Sequence, residues 1–128
     1  MSFAHITFAT QHVEETASFL ETTLGYKRNA SPANSPVPVI WLNIGRGQEF
    51  HILYVENFHV SEFEAEFGRH TAVFHPLEDF PALKERLTQA GAELSDPLRP
   101  SVHARFFFRE PINGYVFEVI DKSRESAA

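Results

Sequence analysis

The chain has 128 residues, of which 43% are hydrophobic and 22% charged, so it can fold as a globular domain and is not a disordered tail. A net charge of −6 without a basic stripe argues against a nucleic-acid partner, and the absence of cysteine excludes disulfides and zinc–thiolate sites. No apolar run approaches a membrane span and no signal peptide is recognisable, which predicts a cytoplasmic protein.

The first half of the chain predicts four strands and one helix. Apolar residues recur with helical spacing from Val13 to Leu24, and Gly25 follows as the natural end of this helix. Residues 31–38 contain three prolines and predict a loop. The four strands are placed at residues 3–9, 26–29, 39–44 and 49–55.

The second half predicts the same order of elements after an acidic connector at residues 56–67. Its helix has Pro81 in the first turn, where proline is tolerated, and Gly91 at its end. The last residues, 123–128, are expected to form a frayed tail. The four strands of this half are placed at residues 69–74, near 93, 104–110 and 114–120.

Equivalent residues of the two halves recur at a nearly constant spacing. His5 and His70 open the first strand of each half, 65 positions apart, and the last-strand segments 50–53 and 117–120 lie 67 positions apart. This repetition predicts a duplicated β-α-β-β-β unit and an α+β fold. The two modules are placed at residues 1–60 and 65–122 of a single domain.

Glu118 lies in the middle of a strand that reads as buried, and a buried carboxylate without a partner costs several kcal/mol. Side-chain alternation along the strands predicts that His5, His51, His70 and Glu118 share the faces turned away from the helices. Three imidazoles and a carboxylate on one surface are ligands for Zn, Ni, Fe, Mn or Co, so the sequence predicts a divalent-metal site.

Two alternatives remain open at this point. Glu118 could instead be neutralised in a salt bridge with Arg105 or Arg109 on the neighbouring strand. Glu49 lies on the same face as His51 and would replace it as a ligand if the strand register differs by two residues.

Three segments resemble the vicinal oxygen chelate superfamily, which includes glyoxalase I, extradiol dioxygenases, fosfomycin-modifying enzymes and bleomycin-resistance proteins. EPINGYVFEVID is similar to the closing motif of the family, with Glu110 in place of an aspartate and one residue inserted before Gly114. The segments HITFATQHVEETASFLETTLGYK and GRHTAVF are similar to its opening strand and helix and to its mid-chain strand. The resemblance covers residues 3 to 121.

The resemblance implies two modules that form a curved, incomplete eight-stranded barrel, and a homodimer that in many members builds its site across two chains. It implies a metal-dependent lyase or isomerase that acts on a small substrate with two adjacent oxygens, with Glu118 or His51 moving the proton. One alternative is an Fe(II) extradiol-type dioxygenase with the ligands His5, His70 and Glu118. Another is a small-molecule binding or resistance protein whose metal site is vestigial.

Overall fold

Each half of the chain builds its own four-stranded sheet. The computed structural model describes residues 3–126, which divide into a first unit, Met1–His59, and a second unit, Val60–Ala128. In the first unit the strand order is β1-β4-β3-β2, with β1 parallel to β4 and the other pairs antiparallel. Its elements are β1 (His5–Thr10), α1 (Val13–Leu24), β2 (Lys27–Asn29), β3 (Val39–Gly45) and β4 (Gln48–Tyr54).

Helix α1 forms because its apolar residues occupy one stripe, which packs on β3 and β4. Ala17 of the helix and Phe50 and Ile52 of β4 are fully buried. Gly25 ends the helix in the left-handed conformation at φ 81°, which a residue with a side chain adopts only at a cost. Burial alternates along β1 and β4, so each strand has one face toward the core and one face away from it.

The second unit repeats this arrangement. Its strand order is β5-β8-β7-β6, with β5 parallel to β8 and the remaining pairs antiparallel. A 3-10 turn, Leu77–Asp79, leads into the second long helix, and Pro81 lies in the first turn of that helix. The elements are β5 (Thr71–His75), α2 (Phe80–Gln89), β6 (Glu93–Ser95), β7 (Arg105–Arg109), β8 (Val116–Asp121) and α3 (Ser123–Ser126).

The core of the second unit lies on the sheet face that meets α2. Leu83 and Leu87 of the helix are fully buried, and Phe80 packs edge-on against Phe106 of β7 with ring centroids 5.2 Å apart. Val119 of β8 is also fully buried on this face. The opposite face of the same strands carries Glu118, because side chains alternate across a sheet.

The fold class predicted from the sequence, α+β with two β-α-β-β-β units, is confirmed. Two local predictions need correction. The strand expected at residues 69–74 begins at Thr71, so His70 precedes it, and residues expected to fray form the short helix Ser123–Ser126. Residues 127–128 of the expected tail lie outside the described residues. Among residues 3–126, no helix is long and apolar enough to cross a membrane.

Candidate metal centre

Strand register places His51 and Glu118 at equivalent positions of the two units. In the first unit His51 lies opposite Thr7, two residues after His5. In the second unit Glu118 lies opposite Ala72, two residues after His70. Each unit therefore presents one residue at or just before the start of its first strand and one residue of its last strand, on the same face of the sheet.

In the first unit, His51 lies in a stack of three flat rings. The His5 ring is parallel to it within 12° at a centroid distance of 3.8 Å, and Trp41 of the neighbouring strand is parallel within 2° at 4.1 Å. The stack holds the imidazole of His51 in one plane and leaves its side chain only 11% exposed.

A hydrogen-bond chain fixes the edge of the same ring. His51 Nε2 lies 2.9 Å from Glu49 Oε1, and Asn29 Nδ2 donates to Glu49 Oε2 at 2.6 Å. Both hydrogen bonds lower the pKa of the Glu49 carboxyl below its ordinary value, and the bond from His51 has the larger effect. Because an ionised carboxylate only accepts, His51 donates through Nε2, and Nδ1 is the nitrogen left for other chemistry.

The ring stack restricts which first-unit histidine can bind a metal ion. An imidazole nitrogen binds a metal at about 2.0–2.1 Å, with the ion close to the plane of the ring. The planes of His5 and His51 run nearly parallel, so one ion cannot lie in both. With the rings stacked in this way, only one of the two histidines can be a ligand of any one ion.

In the second unit, His70 and Glu118 face each other. His70 Nε2 lies 3.2 Å from Glu118 Oε1, and His70 Nδ1 lies 3.1 Å from the carbonyl oxygen of Ala65. A carbonyl oxygen can only accept, so Nδ1 carries the proton that this bond needs. In the neutral imidazole Nε2 then presents a lone pair to the carboxylate, and these two acceptors attract each other only if a proton or a metal cation lies between them.

The distances in this pair suit a metal ion. Two ligand atoms bound at right angles to one ion, each at about 2.1 Å, lie about 3 Å apart, close to the separation of His70 Nε2 and Glu118 Oε1. The backbone carbonyl of Ala65 fixes the tautomer of His70, which is a usual arrangement behind a ligating histidine. The donor types and their spacing therefore fit a divalent ion.

Glu118 also has the second neutralising partner that the sequence left open. Arg105 Nη1 donates to Glu118 Oε2 at 3.0 Å. Arg109 does not take part, because it donates to the backbone carbonyls of Gly114 and Glu64. The salt bridge that the sequence left open is therefore present, and it involves only one of the two carboxylate oxygens of Glu118.

The four predicted ligands divide evenly between the units, with His5 and His51 in the first and His70 and Glu118 in the second. Within the part of the chain that the structure describes, no group of three or more histidine or acidic side chains is arranged to hold a metal ion. Each unit contributes a pair of ligands, and the complete ligand set stays a prediction.

A cavity of about 360 Å³ opens in the second unit. His70 and Glu118 do not line it, but Ala65, whose carbonyl bonds to His70, does. Phe107 lines it, and the Phe107 ring lies edge-on to His70 at a centroid distance of 5.3 Å. The wall is mixed, with apolar Leu94 and Val116 beside charged Glu66 and Arg109. Its size suits a small molecule.

Sequence reasoning did not assign Trp41, Asn29 or Glu66 to the site. Trp41 lies directly opposite His51 in the antiparallel β3–β4 pair, so a correct strand register would have placed it beside the histidine. Asn29 lies on β2, opposite Trp41 in the register. Glu66 lies in the connector, where no periodic pattern gives the direction of a side chain.

Comparisons with known proteins agree on one family. The family model described as Glyoxalase/Bleomycin resistance protein/Dioxygenase superfamily matches residues 2–119. No curated protein sequence matches the chain significantly.

Several solved structures share the fold at low sequence identity. A variant of the fosfomycin resistance protein FosX from Listeria monocytogenes, complexed with Mn(II) and 1S,2S-dihydroxypropylphosphonic acid, is 20% identical with a TM-score of 0.75, over 98% of this chain and 95% of that one. A protein assigned to the glyoxalase family from Bacillus anthracis is 22% identical with a TM-score of 0.75, over 94% of each chain. FosX from Mesorhizobium loti is 18% identical with a TM-score of 0.69, over 99% and 98%.

Proposed function

The chain belongs to the Glyoxalase/Bleomycin resistance protein/Dioxygenase superfamily, and on that premise we propose that it is a divalent-metal-dependent enzyme. Its substrate is a small molecule with two adjacent oxygens, and its reaction is a lyase or isomerase reaction of the glyoxalase type. The metal is Zn, Ni, Fe, Mn or Co, since imidazole and carboxylate ligands suit all five.

The observation that carries the proposal is the pairing of His70 with Glu118. The carbonyl of Ala65 accepts a hydrogen bond from His70 Nδ1, and in the neutral imidazole the lone pair of Nε2 then faces a buried carboxylate oxygen 3.2 Å away. His70 and Glu118 would hold a divalent cation through these two atoms, and the cation would offset the carboxylate charge. FosX, which shares the fold, has been crystallised with Mn(II).

We assign His5, His70 and Glu118 as the ligands, with His51 as the proton-transfer residue. The ring stack allows only one of His5 and His51 to bind the ion, and we assign His5 so that Nδ1 of His51 stays available for proton transfer. A metal held by these three residues supplies Lewis-acid stabilisation of the negative charge that develops on the adjacent oxygens. Glu49 would replace His51 as a ligand only if the hydrogen bond between them were given up.

We assign proton transfer to Nδ1 of His51, and Glu118 is the other candidate for this role. In an isomerisation of the glyoxalase type, a proton leaves the carbon that bears one oxygen and returns to the adjacent carbon. No co-reactant is consumed, so a single base that takes the proton and returns it is sufficient. The Trp41 and His5 rings hold the imidazole of His51 in one orientation during both transfers.

The substrate class rests on two supports. The FosX complex contains a compound with hydroxyl groups on adjacent carbons, which is the same arrangement of oxygens. The cavity of the second unit is large enough for a small molecule and is partly walled by Phe107 and Val116. A homodimer is proposed with this function, as the family resemblance implies.

A second candidate, Fe(II) ring-cleaving dioxygenation, is favoured by the ring stack. Because only one of His5 and His51 can bind a given ion, the set reduces to two histidines and one carboxylate, which is the open arrangement of non-haem iron. Against it, β7 offers Phe106, Phe107 and Phe108 where the dioxygenases use a tyrosine.

The test is metal analysis of the full chain purified without a histidine tag. We expect about one divalent ion per chain in the wild type, and a loss of at least about tenfold in metal affinity for His70→Ala and Glu118→Ala. His59→Ala, in the exposed connector, is the matched control and should bind metal normally.

Substrate assays then separate the candidates. Isomerisation of a hemithioacetal without oxygen uptake supports the first reading, and iron with oxygen uptake in the presence of a catechol supports the second. If no stoichiometric metal is found and added metal produces no thermal shift, both enzymatic readings are wrong. The chain is then a small-molecule binding or resistance protein with a vestigial site.

A further inference from the structure

We propose that Arg105 is a positioning residue that makes Glu118 a one-oxygen ligand of the metal. The inference rests on the proposed function, since it concerns the way in which Glu118 meets the ion. Arg105 itself touches neither the ion nor the substrate in this proposal. It acts by holding one carboxylate oxygen so that only the other is free to bind.

The two oxygens of Glu118 have different partners. Oε2 accepts from Arg105 Nη1 at 3.0 Å, and Oε1 faces His70 Nε2 at 3.2 Å. The side chains of Glu118 and Arg105 are only 10% and 5% exposed, so water competes little for this bond. The carboxylate is therefore held with Oε1 toward His70 and Oε2 toward the guanidinium.

Arg105 is held on its other side by the chain segments around it. Its Nη2 donates to the carbonyl of Arg99 and lies 3.6 Å from Glu66 Oε2, and its guanidinium lies 5.5 Å from the centroid of the Phe107 ring. Glu66 in turn accepts the backbone N–H groups of Leu98 and Arg99 at 2.7 and 3.1 Å. These contacts anchor the guanidinium independently of its bond to Glu118.

In this orientation, one N–H donor of the Arg105 side chain forms no hydrogen bond within the part of the chain that the structure describes. Arg105 Nε is buried and has no hydrogen-bond partner among the described residues. A buried N–H without an acceptor is unfavourable, so the orientation is set by the acceptors on either side of the guanidinium and not by the satisfaction of every donor. An unsatisfied Nε is expected for an arginine whose orientation is fixed by acceptors on both sides of its guanidinium.

Removing the guanidinium should change the number of oxygens that Glu118 gives to the metal. Without Arg105, Oε2 has lost its donor and is free to bind the ion together with Oε1. The coordination number then rises by one. Loss of the positive charge of Arg105 also removes a repulsion on the metal ion, so the metal affinity would change through charge alone. The coordination number is therefore the property to measure.

The experiment compares the visible spectra of Co(II)-loaded wild type, Arg105→Gln and Arg86→Gln at saturating metal. A higher coordination number weakens the d–d absorption of Co(II), so we expect Arg105→Gln to absorb about twofold less per bound ion than the wild type. Arg86 of α2 bonds to Asp79 on the core face of the sheet and does not contact Glu118. Arg86→Gln should therefore keep the wild-type spectrum.

Glu66→Gln provides a second variant in case Arg105→Gln does not fold. It loosens the far side of Arg105 without touching Glu118 and should lower the absorbance in the same direction by a smaller amount. Unchanged spectra in the folded variants of Arg105 and Glu66 would overturn the inference and leave the proposed function standing. A wild-type chain that binds no Co(II) would overturn both.

Discussion

At the scale of single residues, two histidines that lie five positions apart in the sequence, His70 and His75, have different surroundings. His70 and His75 lie on opposite faces of the second sheet, as side-chain alternation along β5 requires. His75 is buried on the core face, where Nε2 lies 2.7 Å from Asp79 Oδ2 at the start of α2. His75 is therefore paired with Asp79 on the core face, and it is not a member of the proposed ligand set.

The Asp79 cluster predicts a specific loss of stability in acid. The bonds from Arg86, and then from His75, lower the pKa of Asp79 from 3.8 to about 2. Because the pKa is lower in the folded state, the stabilisation is complete above pH 3.8 and is lost as the pH falls through about 2. Asp79→Asn should therefore be less stable than the wild type at pH 6, and the difference should shrink below pH 4.

Urea unfolding at pH 6, 4 and 2.5 measures this effect. The adjacent Glu78, exposed and on the same turn, gives the control Glu78→Gln, which should track the wild type. A difference between wild type and Asp79→Asn that is the same at all three values would show that the carboxylate charge of Asp79 does not contribute.

At the scale of elements, the segment before β5 fixes the position of His70. The Phe63 carbonyl accepts the N–H of Arg69 at 2.8 Å, and Arg69 pairs with the buried Glu64 at 3.1 Å. The Ala65 carbonyl in this segment is the acceptor for His70. Gly68 allows the tight return of the chain, because a Cβ there would lie 2.0 Å from the Phe63 carbonyl oxygen.

Gly68→Ala should therefore distort this segment. We expect a loss of about 1–3 kcal/mol in the free energy of unfolding, since the added methyl meets backbone that cannot move aside cheaply. Metal affinity should fall as well, because the Ala65 carbonyl shifts away from His70. Urea unfolding and metal titration measure the two effects.

Gly25→Ala is the matched control for this prediction. A Cβ at Gly25 meets no atom within 4 Å, so the substitution carries only the cost of the left-handed backbone, about 1–2 kcal/mol. Metal affinity should be unchanged in this variant. Equal metal affinity in both variants would contradict the role given to the segment before β5.

At the scale of the whole molecule, the duplication divides the proposed site. Each unit supplies one pair, His5 with His51 and His70 with Glu118. Neither pair is a complete ligand set for an enzyme of this type. The resemblance implies a homodimer, and in many members of the family the site is built across two chains, so the proposed ligand set could draw its two pairs from one chain or from two.

Mixing two inactive variants tests whether these units come from different chains. Chains with His5→Ala or Glu118→Ala should each lack metal when purified alone. If the sites form across a dimer, a mixed dimer has one site with both substitutions and one with neither. Random pairing makes about half of the dimers mixed, so co-expression should restore about one quarter of the wild-type metal content, and the isolated mixed dimer should hold about half. Co-expressed chains that remain free of metal would show that each site is built within one chain.

Patterns along the chain were sufficient to predict the α+β fold and to place His70 and Glu118 on the same face of the second sheet. Helical spacing and strand alternation are local properties, and the 65- to 67-residue repetition carried the positions of one unit onto the other. These inferences needed only periodicity and order along the chain.

The folded chain was needed to show which arginine pairs with Glu118 and that the rings of His5 and His51 stack. Phe107 lies directly opposite Glu118, so Arg105 and Arg109, two residues to either side, are both diagonal neighbours in the sequence pattern. The folded chain separates them because the carbonyls of Gly114 and Glu64 engage Arg109, whereas Glu66 and Arg99 anchor Arg105 beside the carboxylate. The stacking of His5 on His51 likewise depends on ring planes, which are set by neighbouring strands and not by sequence spacing.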